Sequence, residues 1–168
     1  VLVRNNTRVV PARTVGHRCA TGGKWEGLYL RTRPDGAWEI LATTRGHPVV
    51  GEAIEIGAGS RLVLLEREPE GRWIVRPEPD EPARAILERV GLVPLPPYIR
   101  KGREGPGDRA RYQTVFAQTP GSVAAPTAGL HFTPELIARL RARGIGSLDV
   151  TLHVGIGTFR PIAAERIE

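Results

Sequence analysis

Between Thr14 and Trp73 apolar and polar positions alternate in short runs, each closed by a turn former, and a period of two is the mark of half-buried strands. WEGLYLRT alternates Trp25, Leu28 and Leu30 with polar neighbours, and AWEILATT follows the turn Pro34-Asp35-Gly36. AIEIGAG and RLVLLERE come next, and GRWIVRP follows Glu70-Gly71. Regular short strands punctuated by Gly and Asp-Gly predict a small antiparallel barrel or sandwich. Trp25, Trp38 and Trp73 fall one per strand, so they are expected in its core or at its rim rather than as base-stacking platforms.

The period changes at Pro82. PARAILERV sets Ala83, Ile86, Leu87 and Val90 at helical spacing between Pro82 and Gly91, which predicts a short helix closing the β segment. Outside this region the signals are mixed. Val1 to Val10 is a valine-rich strand interrupted by Asn5-Asn6-Thr7, where a polar bulge or local turn is expected. Thr114 to Gln118 reads as a short buried strand, and Ser147 to Val154 as a longer one. That longer strand puts Leu148, Val150, Leu152 and Val154 on one face and Asp149, Thr151 and His153 on the other. It runs into Gly155-Ile156-Gly157-Thr158, a glycine turn of the kind that places ligands at strand ends. Gly-x-Gly alone lacks the third glycine of a dinucleotide fingerprint.

The densest chemistry lies in Gly121 to Pro134, GSVAAPTAGLHFTP. Ser122, Ala124, Ala125 and Ala128 are too small to keep a ligand from the backbone, and Pro126 and Gly129 fix the turns. Thr133 stands at an N-cap position, Pro134 at the first helical position and Glu135 in the first turn, so a helix is expected from Pro134 to Arg143, stopped by Gly144. Its positive end favours an anionic or electron-rich group beside His131. A tight loop with a hydrogen-bonded histidine is the plainer alternative.

Composition narrows the setting. No apolar run approaches the ~20 residues of a membrane helix, and one cysteine, Cys19, expected buried or half-buried, provides neither a disulfide framework nor a metal site. A reducing cytoplasm is the expected compartment. The formal charge of +6 is segregated: residues 14–93 carry 11 Arg and Lys against 12 Asp and Glu, and the flanks carry 13 against 6. Such segregation favours a polyanion contacting the flanks. The proline- and glycine-rich stretch from Leu95 to Thr114 holds Arg100, Lys101, Arg103, Arg109 and Arg111, suited to phosphate contacts, with Arg8 on the other flank. A solvated linker remains the alternative. The absence of methionine, even at position 1, and the strand-like opening lead us to expect a fragment.

NNTRVVPAR, VPLPPYI, RYQTVFA, GSVAAPTAGLHFT and TLHVGIGTF, in this order and at these separations, closely resemble the S-adenosylmethionine:tRNA ribosyltransferase-isomerase family of queuosine synthesis. The resemblance covers the whole chain. Members of the family begin earlier and continue past the equivalent of Glu168 into a His-x-Met-His-x-Glu segment, so the fragment alone is expected to be inactive. The resemblance implies an α+β protein in which a β-barrel (14–93) is inserted into an α/β domain, of which 1–13 and 94–168 are two segments. It also implies transfer and isomerisation of the ribosyl part of S-adenosylmethionine onto the 7-aminomethyl-7-deazaguanine wobble base of tRNA. Epoxyqueuosine is left, and adenine and methionine depart. S-adenosylmethionine and that tRNA are the expected partners of a monomer, with no metal and no membrane. Such chemistry needs a base, an acid for departing adenine, and a site for a cation beside RNA. Our candidates are His131 and His153 for proton handling, with Asp149 or Tyr112 orienting them. Ala124, Ala125, Pro126, Thr127, Ala128 and Gly129 with Gly155, Gly157 and Thr158 form the candidate cofactor cradle. A non-catalytic RNA-binding barrel and an inactive structural fragment are the competing readings.

Overall fold

The computed structural model describes residues 1–159 of the 168-residue chain, and of Thr158 and Phe159 the backbone alone. The chain divides into two compact units: Val10–Pro94, and Val1–Val9 with Leu95–Glu168.

The contiguous unit is a closed barrel of six strands, β3 (Arg13–Arg18), β4 (Lys24–Thr32), β5 (Trp38–Thr44), β6 (Ala53–Gly57), β7 (Ser60–Arg67) and β8 (Arg72–Glu78), hydrogen-bonded in the order β3-β4-β5-β8-β7-β6. All neighbours are antiparallel. The alternation seen in the sequence places Trp25, Trp38, Ile40, Ile54, Leu62, Leu64, Trp73 and Val75 inside. Six strands enclose only enough room for side chains, so the interior is a packed core without a lumen. Each large apolar group buried there stabilises the fold by about 1.5–3 kcal/mol. Register shifts at Tyr29/Arg31, Glu55/Gly57 and Leu64/Glu66 mark the bulges that curve the sheet. Helix α1 (Ala83–Val90) adds Ile86 and Leu87 to the same core and ends as Gly91 N–H bonds to Leu87 O.

The barrel closes where β3 meets β6, over only two residue pairs. Two devices hold this seam. At Gly16 a Cβ would lie 2.1 Å from Glu55 O, so only glycine lets the strands approach. Arg18, 8% exposed, reaches both carboxylate oxygens of equally buried Glu52 at 2.7 Å and donates further to Arg45 O and His47 O. That fork geometry holds the Glu52 carboxyl below its ordinary range, against desolvation. Strand β3 was not legible in the hydrophobic pattern. Cys19, expected buried or half-buried, is exposed, because it sits in the β3–β4 turn with its N–H bonded to Ala53 O.

The second unit has two parallel strand pairs joining distant parts of the chain: β1 (Leu2–Asn5) with β10 (Ser147–Val150), and β2 (Thr7–Val9) with β9 (Thr119–Ser122). Between them lie α2 (Asp108–Arg111), a 3-10 turn at Thr127–His131 and α3 (Pro134–Ala142). Thr133 caps α3 as expected, its Oγ1 accepting from Leu136 N at 3.2 Å, and Gly144 adopts a left-handed φ of 76° just past its end.

Two strand expectations are corrected. Thr114–Gln118 is not a strand: Ala117 N bonds back to Thr114 O in a turn, and the strand starts at Thr119, after Gln118 and Thr119 both donate to Asn6 O. Phe116 is buried as the pattern required, but through contacts with Phe132 and the Arg4 guanidinium rather than through a sheet. The strand at Ser147 ends at Val150, because Asn6 N–H takes Val150 O and side chains replace backbone partners beyond it. Its apolar residues Leu148, Val150 and Leu152 are exposed. No helix among the described residues is long and apolar enough to cross a membrane.

Candidate functional site

Three of the motifs singled out in the sequence meet at the ends of β1, β2, β9 and β10, all within the discontinuous unit. The chain breaks between β1 and β2 at Asn6, and this break frees polar side chains to cross to the segment after β10. Asn5 copies a strand with its amide: Nδ2 donates to Leu152 O at 2.9 Å and Oδ1 accepts from Leu152 N at 3.0 Å. Thr151 Oγ1 bonds to Asn6 Oδ1 at 2.7 Å. These contacts fix the main chain on either side of His153.

His153 is exposed, yet its ring is held. Nδ1 lies 2.8 Å from Thr7 Oγ1, which lies 2.7 Å from Ser122 Oγ, and Ser122 Oγ accepts from Val154 N at 2.8 Å. Thr7 and Ser122 are buried, so this chain of hydroxyls runs from the interior to the ring. Gly121 makes the space: a Cβ there would stand 2.5 Å from Cε1 and 2.7 Å from both ring nitrogens. Glycine, threonine and serine thus collaborate in orienting one imidazole.

The remaining candidates are distributed differently. Asp149 pairs with Arg4 at 2.7 Å, and neither histidine is its partner. Tyr112 is buried beside the small-residue loop; burial pushes its phenol up, while a hydrogen bond with the Ala125 backbone pulls it down. His131 closes the 3-10 turn, exposed, its ring without a hydrogen bond to any described residue. The structure therefore links Tyr112 to the loop and His153 to Thr7 and Ser122, but joins no pair of the four named for catalysis.

Within the cradle expected from the sequence, Ala124, Ala125 and Gly129 are buried, Pro126 is half-buried, and Thr127 and Ala128 are exposed. Gly129 has a packing cause of its own, since a Cβ would meet Thr114 Cγ2 at 2.6 Å and Phe116 Cζ at 2.9 Å. Gly155 and Gly157 have open space around them, and the Thr158 side chain lies outside the described residues, as do Arg160 and Pro161. Among the described residues no three His, Cys, Asp or Glu side chains cluster as metal ligands would.

The six basic candidates are all exposed. Arg100 pairs with buried Asp108, whose carboxylate also accepts from Gly105 N at 2.7 Å. Arg8, Lys101, Arg103 and Arg111 make no ion pair among the described residues. Sequence reasoning passed over Gln113, whose amide clasps Val9 on both sides, Nε2 to O at 2.8 Å and N to Oε1 at 3.0 Å. It also passed over Thr7, for which Asn-Asn-Thr was the only sign.

The whole chain, residues 1–168, matches the family model for queuosine biosynthesis protein. It is similar to the S-adenosylmethionine:tRNA ribosyltransferase-isomerases of Pelobacter propionicus (47% identity, 100% of this chain and 49% of the relative) and Gloeobacter violaceus (49% identity, 96% and 45%). That of Acetivibrio thermocellus is 45% identical over 99% of this chain and 48% of its own length. A crystal structure of S-adenosylmethionine tRNA ribosyltransferase from Thermotoga maritima aligns over 93% of this chain and 41% of that one, at 26% identity and a TM-score of 0.41. The chain spans about half the length of the curated relatives it matches. On a match running from its first residue to its last, the chain belongs to the queuosine biosynthesis protein family.

Proposed function

We propose that this chain carries part of the site of an S-adenosylmethionine:tRNA ribosyltransferase-isomerase. The observation that supports this most is the convergence of Asn5-Asn6-Thr7, Gly121-Ser122 and Leu152-His153-Val154 on one hydrogen-bonded cluster. Those stretches belong to three motifs widely separated in sequence, and a fragment with only a structural purpose has no need to suspend an exposed imidazole over a glycine. In this reading the ribosyl part of S-adenosylmethionine moves to the 7-aminomethyl-7-deazaguanine base of tRNA, with adenine and methionine released. The sulfonium acidifies the adjacent C–H, and His131 and His153 are the proton-handling candidates. Asp149 contributes by neutralising Arg4, which keeps a stray cation away from a cationic substrate. Tyr112 supports the loop from Ala124 to Gly129, and Gly155, Gly157 and Thr158 offer backbone to the substrate. Exposed Arg8, Lys101, Arg103, Arg109 and Arg111, with Arg100, face the RNA backbone. The enzyme works as a monomer in the cytoplasm and without a metal.

The test is adenine release from S-adenosylmethionine by the full-length protein that contains this chain, with and without tRNA bearing the aminomethyl base. Release that depends on that tRNA is expected. Tight tRNA binding with no adenine released from a folded preparation would instead favour the RNA-binding module.

A further inference from the structure

The hydroxyl chain behind His153 has a direction, and the direction decides what the ring can do. Ser122 Oγ already accepts the N–H of Val154 at 2.8 Å. Ser122 is 0% exposed, so its own O–H needs a protein acceptor, and the one within reach among the described residues is Thr7 Oγ1 at 2.7 Å. Thr7 Oγ1 thereby receives a hydrogen bond and has its own hydrogen free for Nδ1 of His153 at 2.8 Å. An Nδ1 that accepts leaves the hydrogen of the neutral ring on Nε2. The reverse order would have Nδ1–H donate to Thr7 and Thr7 to Ser122, which strands the serine hydrogen in the interior, a state disfavoured roughly tenfold or more.

We propose that Thr7 and Ser122 are positioning residues that hold His153 as its Nε2–H tautomer, so that the exposed nitrogen offers a hydrogen-bond donor to an electron-rich atom of the substrate. With Nε2 occupied by hydrogen, the ring has no outward lone pair and is not the base. Of the two histidines, His131 is left as the proton acceptor. This rests on the reading of the cluster as part of a transferase site, but the tautomer itself is measurable without substrate. Gly121 belongs to the same device, since it lets the ring lie where Thr7 reaches it.

Long-range nitrogen–proton correlation spectra of the 15N-labelled full chain, above the pH at which the ring is protonated, report the tautomer; the signal lost in His153→Gln identifies the residue. A protonated Nε2 and an unprotonated, hydrogen-bonded Nδ1 are expected. An Nδ1–H ring, or an even mixture, overturns the proposal. Ser122→Ala removes the hydrogen that sets the direction, so the Nδ1–H form should become detectable, and an unaltered spectrum would remove Ser122 from the device. In turnover assays Thr7→Val should lower kcat by roughly tenfold or more with KM for S-adenosylmethionine within a few-fold, and Thr7→Ser should restore it. Normal kcat in a folded Thr7→Val protein overturns the positioning role. If the ring is Nε2–H yet the full-length protein that contains this chain releases no adenine, the transferase reading fails and the tautomer assignment stands.

Discussion

Replacing Gly16 with alanine puts one methyl group into the narrowest part of the barrel. The added Cβ would lie 2.1 Å from Glu55 O, 3.0 Å from Glu55 C and 3.2 Å from Ile56 Cα, and all three atoms are main chain. No rotamer change can relieve this, so β6 must withdraw by nearly an ångström before the oxygen contact reaches even 3.0 Å. The seam there has just two pairs, His17 with Glu55 and Arg18 with Ile54, and such a displacement breaks both. Overpacking of about 1–3 kcal/mol and the broken backbone bonds at ~1 kcal/mol each together destabilise the barrel by roughly 3–5 kcal/mol. All three tryptophans of the chain lie in this core, so their fluorescence during urea denaturation follows the barrel specifically. With a slope of about 2 kcal/mol per molar urea, the midpoint should fall by about 2 M. Gly22→Ala is the control: φ is +69° with nothing within 4 Å of its Cβ, so it should cost only about 1 kcal/mol of backbone strain. If Gly16→Ala costs no more than Gly22→Ala, the seam is not the tight point of the fold.

Arg18 lowers the Glu52 pKa, so the stability this pair contributes is complete above about pH 4.3, the unfolded value, and disappears as pH falls through the lower folded value. Glu52→Gln should therefore weaken the barrel at pH 7 and flatten, though not abolish, its acid limb, since Glu39 is likewise lowered by Arg31 and Arg72; denaturation at several pH values between 2 and 7 checks it. Gly121→Ala should push the His153 ring off Thr7 and reduce turnover of the folded fraction by roughly tenfold or more, while its φ of +153° makes the added side chain lower the melting temperature modestly, measured on one preparation. Replacing Arg100, Lys101, Arg103, Arg109 and Arg111 together by glutamine should weaken tRNA binding and flatten its salt dependence by up to ~0.9 in log–log slope for each phosphate that is no longer neutralised; an unchanged slope rejects the phosphate reading.

Five of the six barrel strands and α1 were legible because their cause is local: inward residues recur every second position, and turn residues close each run. Strand β3 was not, since its identity depends on Gly16 and Arg18, whose partners Glu55 and Glu52 lie over thirty residues away. The site divides in the same way. The capped start of α3 is written in Thr133 and Pro134, but nothing local to Asn5-Asn6-Thr7 tells that the three side chains meet residues 151 to 153 and Ser122. Reading His153 from its alternation singled out the side chain but gave it no partner, because Thr7 and Ser122 lie far away in the sequence. Thr114–Gln118 shows the opposite error: a buried–exposed–buried pattern arose in a turn, because Phe116 finds Phe132 rather than a neighbouring strand.

The pairing of β1 with β10 ties residue 2 to residue 147, and this imposes an order on synthesis and folding. The discontinuous unit cannot close until the ribosome has delivered Val150 at the end of β10, whereas the barrel is finished once Pro94 has emerged. The barrel does more than precede it. By bridging Arg13 to Leu92, it removes 79 residues from the loop that β1 and β10 must later close, shortening 145 residues to an effective 66. The entropy of closure falls by about 0.7 kcal/mol, roughly a threefold gain in the probability that the two ends meet. A nascent chain whose barrel is weakened at Gly16 would then present unpaired β1 and β2 edges for longer, so aggregation during expression should rise out of proportion to the loss of equilibrium stability.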